Sequence, residues 1–151
     1  MITTTEPLGT LTLEDDEGVL HTFRVSVAEY NLYVRDGQGW LTLYCATDRK
    51  ISPADDLPAE PWMEINVPLA QPKDRLTPGE RIAGSAYDDA FGGWLTNFYY
   101  YSHSGFEQPE IIIQAVELHS IFAEIRGEGD DSPVVISTRF TRNPDRYRSF
   151  S

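Results

Sequence analysis

The residues able to do chemistry in this chain are three histidines (His21, His103, His119), one cysteine (Cys45) and 24 carboxylates. Their spacing fits none of the common catalytic templates. There is no phosphate-binding loop, dinucleotide fingerprint, nucleophile elbow or His-Glu-x-x-His run. Ser102-His103-Ser104 and Gly84-Ser85 are the nearest fragments, and both lack the required flanks. A glycosidase-like carboxylate pair could be drawn almost anywhere among so many acids, so drawing one carries no information. The sequence leans away from an enzyme.

His21, on an apolar strand face, and His119, at a break between two strands, read as structural. His103 lies in an aromatic segment near Tyr101 and Glu107, which makes it the best histidine for a polar contact. A single loop histidine is a weak metal signal, because a catalytic zinc takes three protein ligands. Cys45 has no partner for an intramolecular disulfide and sits in an alternating apolar run, so it reads as an inert core residue.

Four Asp-Asp pairs fall at turns: Asp15-Asp16, Asp55-Asp56, Asp88-Asp89 and Asp130-Asp131. Aspartate favours turns in its own right, and none of the pairs has the spacing of a calcium-binding EF-hand loop. Asp88 and Asp89 are the weak calcium candidates, because they adjoin the aromatic segment. No other cofactor is expected.

That segment, Tyr87 to Phe106, holds eight of the 18 aromatic residues. Read as a strand, it places Leu95, Asn97, Tyr99, Tyr101 and His103 on one face, opposite Trp94, Thr96, Phe98, Tyr100 and Ser102. Tyrosines with a polar tip suit a surface that is partly wet, such as a protein interface or a sugar-stacking platform. The candidate binding residues are therefore Asp88, Asp89, Trp94, Asn97, Tyr99, Tyr101 and His103. Gly92-Gly93 gives the preceding loop freedom to reshape.

The elements that must position these residues are strands. Period-two alternation recurs from Leu8 onward, with a phase shift near Ala28 that calls for a bulge. Asp15–Gly18 and Asp36–Gly39 read as hairpin turns. Ser52-Pro53-Ala54-Asp55 reads as one helical turn, and residues 68–79 as a loop broken by Pro68, Pro72 and Pro78. Ile111 to Ile125, the most apolar run, reads as two paired central strands, and Gly127–Asp131 as a loose hairpin loop. The sum is one all-β domain over 1–151, an antiparallel β-sandwich of about ten short strands, with a closed β-barrel as the alternative. Residues 142–151 read as a mobile basic tail.

Charge narrows the partners. The chain carries −12 overall, and residues 1–131 hold 23 acids and 8 bases, a net of −15. Such a field repels phosphate backbones and anionic lipid and attracts a basic protein. No apolar run is long enough to span a bilayer, and MITTTEPLGT lacks a secretory signal's basic flank and apolar core. The expected location is the cytoplasm. Two functional expectations follow: an acidic protein-interaction module, inhibitor- or immunity-like, covering a basic site on a partner, or a carbohydrate-binding β-sandwich that stacks Trp and Tyr on sugar, with calcium optional.

Overall fold

Period-two alternation becomes strand wherever it is sustained. The computed structural model describes residues 8–53 and 60–148. Its strands are β1 (Gly9–Glu14), β2 (Leu20–Arg35), β3 (Gln38–Ser52), β4 (Trp62–Leu69), β5 (Arg81–Ala83), β6 (Tyr87–Asp88), β7 (Gly93–Trp94), β8 (Thr96–Tyr100), β9 (Ser102–Ser104), β10 (Phe106–Val116), β11 (Ser120–Gly129) and β12 (Ser132–Arg142). Ten of them form one sheet in the order β5-β10-β11-β12-β1-β2-β3-β4-β8-β9, and β6 and β7 form a separate ribbon. Every pairing is antiparallel except a two-residue parallel contact, Thr141 to Glu29 and Arg142 to Tyr30, made past the end of the short β1.

The sheet folds over on itself in a sandwich-like manner, so that both halves line one core. Leu11, Phe23, Leu41, Leu43, Cys45, Met63, Ile65, Phe98, Phe106, Ile111, Ile113, Ile125 and Phe140 belong to a single buried cluster. The barrel alternative fails because β5 and β9 remain edges of an open sheet. Across the seam, the Phe98 and Phe106 rings lie 5.9 Å apart. Thr96 Oγ1 accepts from the Phe106 N–H at 2.8 Å and donates to the Phe106 carbonyl. A side chain thus satisfies backbone groups that a further ladder would otherwise pair.

Several local expectations need correcting. β2 and β3 are long rather than short, 16 and 15 residues, because the register shifts around Val25–Val27 let one bent ribbon keep pairing. This irregularity matches the expected bulge. The 127–131 segment is tight rather than loose. Gly127–Gly129 belong to β11, and Asp130 and Asp131 alone turn the chain, with φ of 53° and 61°. Aspartate tolerates that left-handed region better than most residues. β4 continues through Pro68 to Leu69, so the expected 68–79 loop starts two residues later; it packs over one end of the core through buried Leu76, and its Gly79 N–H donates to the Ile113 carbonyl. Asp55-Asp56 and the second half of the expected helical turn at Ser52–Asp55 lie outside the described residues, and Ser52 ends β3 as strand.

The largest correction concerns the C-terminus. Residues 143–148 do not hang free but lie as a strap across the outer face of β2 and β3. Buried Asn31 donates through its amide to the Arg146 carbonyl at 2.9 Å, and Arg146 forms an ion pair with Glu29 while its guanidinium sits 4.1 Å above the Tyr44 ring. Among the described residues, no helix is long and apolar enough to cross a membrane.

Candidate functional site

The β6–β7 ribbon presents the first part of the aromatic segment. Tyr87 pairs with Trp94, and Asp88 with Gly93. Between them runs a short 3-10 turn, Asp89–Phe91. The Asp88 carboxylate caps it by accepting from the Ala90 N–H at 2.9 Å, and Gly92 ends it at φ 85°. That left-handed value is why glycine stands there. The Tyr87 phenol donates to the Asp89 carboxylate, and this bond, with some desolvation, raises the phenol's pKa above its ordinary value. Asp88 and Asp89 are thus turn and hydrogen-bonding residues. Among the described residues, no group of three or more His, Cys, Asp or Glu could hold a metal ion.

The second part is the β8–β9 hairpin. The chain reverses at Tyr101, whose φ is 66° and whose exposed side chain contacts Tyr100 at 4.7 Å between centroids. Strand parity therefore ends at Tyr100. His103 joins the face of Asn97 and Tyr99 by cross-strand pairing, with Tyr99 opposite His103, and not by continuing one strand. His103 Nδ1 lies 3.3 Å from Asn97 Oδ1. Rings then follow one another across the outer face of the sheet. Tyr99 stacks on Trp62 at 16° and 5.9 Å, His103 meets Trp62 edge-on, and Trp62 lies 6.4 Å from Tyr44. Glu64, buried at 4% exposure, stands between Tyr44 and Asn97 on the same face.

Where ribbon and hairpin meet there is an open groove of about 650 Å3, lined by Gly92, Trp94, Thr96, Asn97, His103, Ser104, Gly105 and Arg148. Three of the seven sequence candidates, Trp94, Asn97 and His103, line it directly. Tyr99 adjoins through its contact with His103, whereas Asp88, Asp89 and Tyr101 lie outside the lining. Gly105 is needed in the floor. A Cβ there would sit 2.9 Å from Trp94 Cζ3, 3.2 Å from Ala86 Cβ and 3.3 Å from Glu107 Oε1.

Sequence reasoning missed Arg148. It donates Nη1 to the Phe91 carbonyl at 2.9 Å and Nη2 to the Trp94 carbonyl at 2.8 Å, clamping both ends of the ribbon loop. Its guanidinium also lies 5.4 Å from the Trp40 ring centre, and it walls a second cavity of about 440 Å3 with Tyr33, Arg35 and Phe91. A run of arginines at a chain end signals charge, and nothing local in DRYRSFS points to a loop some fifty residues away in sequence.

Of the remaining candidates for chemistry, His119 is exposed, whereas His21 and Cys45 have structural settings. His21 Nε2 is 2.7 Å from Asp15 Oδ2, a contact that holds the Asp15 carboxyl below its ordinary pKa. Burial pushes the Cys45 thiol up to about 12, far from reactivity. No family model, no curated protein and no solved structure matches the chain.

Proposed function

We propose that this protein is an acidic protein-interaction module that receives a basic segment of a partner, inhibitor- or immunity-like, at the groove beside Trp94. The observation that supports it best is a pair of exposed rings, Trp94 at 53% in the groove lining and its ring partner Tyr87 at 51%, on a chain carrying −12. Large aromatic side chains left exposed on a clamped loop match the composition of interface hot spots. The excess of acid supplies long-range attraction to a basic surface. Glu107, beside the Gly105 floor, places a carboxylate next to the groove, whose lining also includes Arg148.

A direct test immobilises the full chain and measures capture of lysine- and arginine-rich synthetic peptides against acidic peptides of matched length. The expected result is capture of the basic set alone, with an association rate that falls steeply as salt rises. Equal capture of both sets, or a rate indifferent to salt, would remove the reading.

One observation favours a second reading, a carbohydrate-binding module. Beside the Trp94 indole the groove lining holds the Asn97 amide, the His103 imidazole, the Ser104 hydroxyl and the Arg148 guanidinium, and it contains no carboxylate. Against that, Tyr99 and Trp62 turn their faces on each other and do not form a flat exposed row with Trp94. Quenching or a shift of Trp94 fluorescence by members of a neutral glycan panel, with no response to basic peptides, would reverse the preference.

A further inference from the structure

We propose that the corner formed by Tyr87 and Trp94, with Glu107 beside it, is the anchor for one cationic side chain, lysine or arginine, of the partner segment. This rests on the reading of a basic partner and specifies the chemical group that is gripped. The two rings stand at 81° with centroids 5.3 Å apart, and each is about half exposed. In this edge-to-face pair the exposed part of the aromatic surface still carries a negative quadrupole lobe, which favours a cation over an uncharged chain of the same length.

A carboxylate completes the corner. Trp94 Cζ3 and Glu107 Oε1 lie 2.9 and 3.3 Å from the same point above Gly105, so the indole and the acid both border this glycine. Among the described residues, Glu107 has no hydrogen-bond or ion-pair partner, and its cross-strand neighbour is another acid, Glu128. Like charges placed opposite each other on a sheet repel, and a cation docked at Glu107 would relieve that repulsion. The corner is also pre-formed. Tyr87 and Trp94 are paired through the backbone, and Arg148 holds the Trp94 carbonyl. Little ordering remains to be done on binding. The Arg148 guanidinium, which also lines the groove, is itself turned to the Phe91 and Trp94 carbonyls.

The test titrates the ¹⁵N-labelled full chain with three probes: Nα-acetyl-lysine methylamide, Nα-acetyl-arginine methylamide and the uncharged Nα-acetyl-norleucine methylamide. The Trp94 indole N–H, assigned by its loss in Trp94→Phe, is the reporter. Both cations are expected to shift it saturably in the millimolar range, and norleucine is not. Glu107→Gln, which preserves volume, is expected to weaken the cations by about three- to tenfold, while Tyr87→Leu, which removes one ring face, weakens them by a similar factor. Equal shifts from norleucine, or unchanged affinity in both variants, would overturn the proposal. Saturable binding of the cations that perturbs other residues but leaves Trp94 and Glu107 untouched would overturn the corner while leaving the basic-partner reading standing.

Discussion

The isoleucine hairpin, β10–β11, and the aromatic hairpin, β8–β9, are neighbours in sequence and meet at the sheet seam, yet they are built on different rules. In the first, Ile111, Ile113, Ile121, Ala123 and Ile125 all point into the core at 0% exposure, while Glu110, Ile112 and Glu124 face outward. One face is dry, the other wet, and period two holds from Pro109 to Ile113 and from Ile121 to Ile125, between register shifts after Glu107 and after Ile113. In the second, both faces have work to do. Phe98 enters the core, while Asn97, Tyr99 and His103 form the outer ring surface, and Tyr101 breaks the parity by adopting a left-handed conformation. A hairpin with one buried face stores stability. A hairpin with two packed faces can store stability on one and offer recognition on the other.

The comparison can be broken by substitution. Ile111→Ala should cost about 2–5 kcal/mol, the range for a large-to-small change at a fully buried site, while leaving the Trp94 indole resonance in place. Urea denaturation and a nitrogen–proton spectrum read the two effects separately. Gly129→Ala strikes the seam where the hairpins touch, since the new Cβ would sit 2.4 Å from Phe98 Cδ1. About 1–3 kcal/mol of overpacking is expected, and unlike Ile111→Ala it should disturb resonances of both hairpins.

Smaller effects sharpen the contrast. Arg148→Ala removes two bonds to carbonyls and should cost about 1–2 kcal/mol. Its signature is local: faster amide hydrogen exchange across residues 91–95, with β10–β11 protection unchanged beyond the global shift. Uniform loss of protection would mean that the strap supports the whole sheet and not the ribbon.

The smallest effect lies at the surface. Arg24 holds the Asp48 carboxyl below its ordinary pKa, as His21 does for Asp15. A depressed carboxyl contributes stability that is present above its unfolded-chain value, near 3.8, and is lost as pH falls through the lower folded value. Acid unfolding of an Asp15→Asn, Asp48→Asn double variant should therefore depend less on pH below about 4 than that of the parent. Identical pH profiles would show that both pairs are silent.

Much of the scaffold was legible because burial of one sheet face forces period two on the sequence. Ile111–Ile125 announces itself in this way, and Asp36-Gly37 announces its turn through the positive φ that both residues adopt. The site was legible in part. Trp94, Asn97 and His103 were reached from aromatic density alone, but His103 arrived on its face for a different reason from the one parity supplied. Asp88 and Asp89 read first as turn residues and only weakly as calcium candidates. Their carboxylates serve a cap and a tyrosine, a use that depends on a turn whose φ values no side-chain pattern states. Asp130-Asp131 shows the same limit, with a tight turn where acid and glycine suggested slack.

By itself the sequence determined that the chain is all-β, where most strands lie, which apolar residues meet in the core, and that its field is negative. Those properties follow from local alternation and from sums over residues. Only the tertiary structure decided that the sheet stays open, that the C-terminal arginines strap the outer face, and that Arg148 clamps the loop carrying Trp94. Such contacts join residues far apart in the chain, and their geometry follows from how the sheet twists and folds over, which no single stretch encodes.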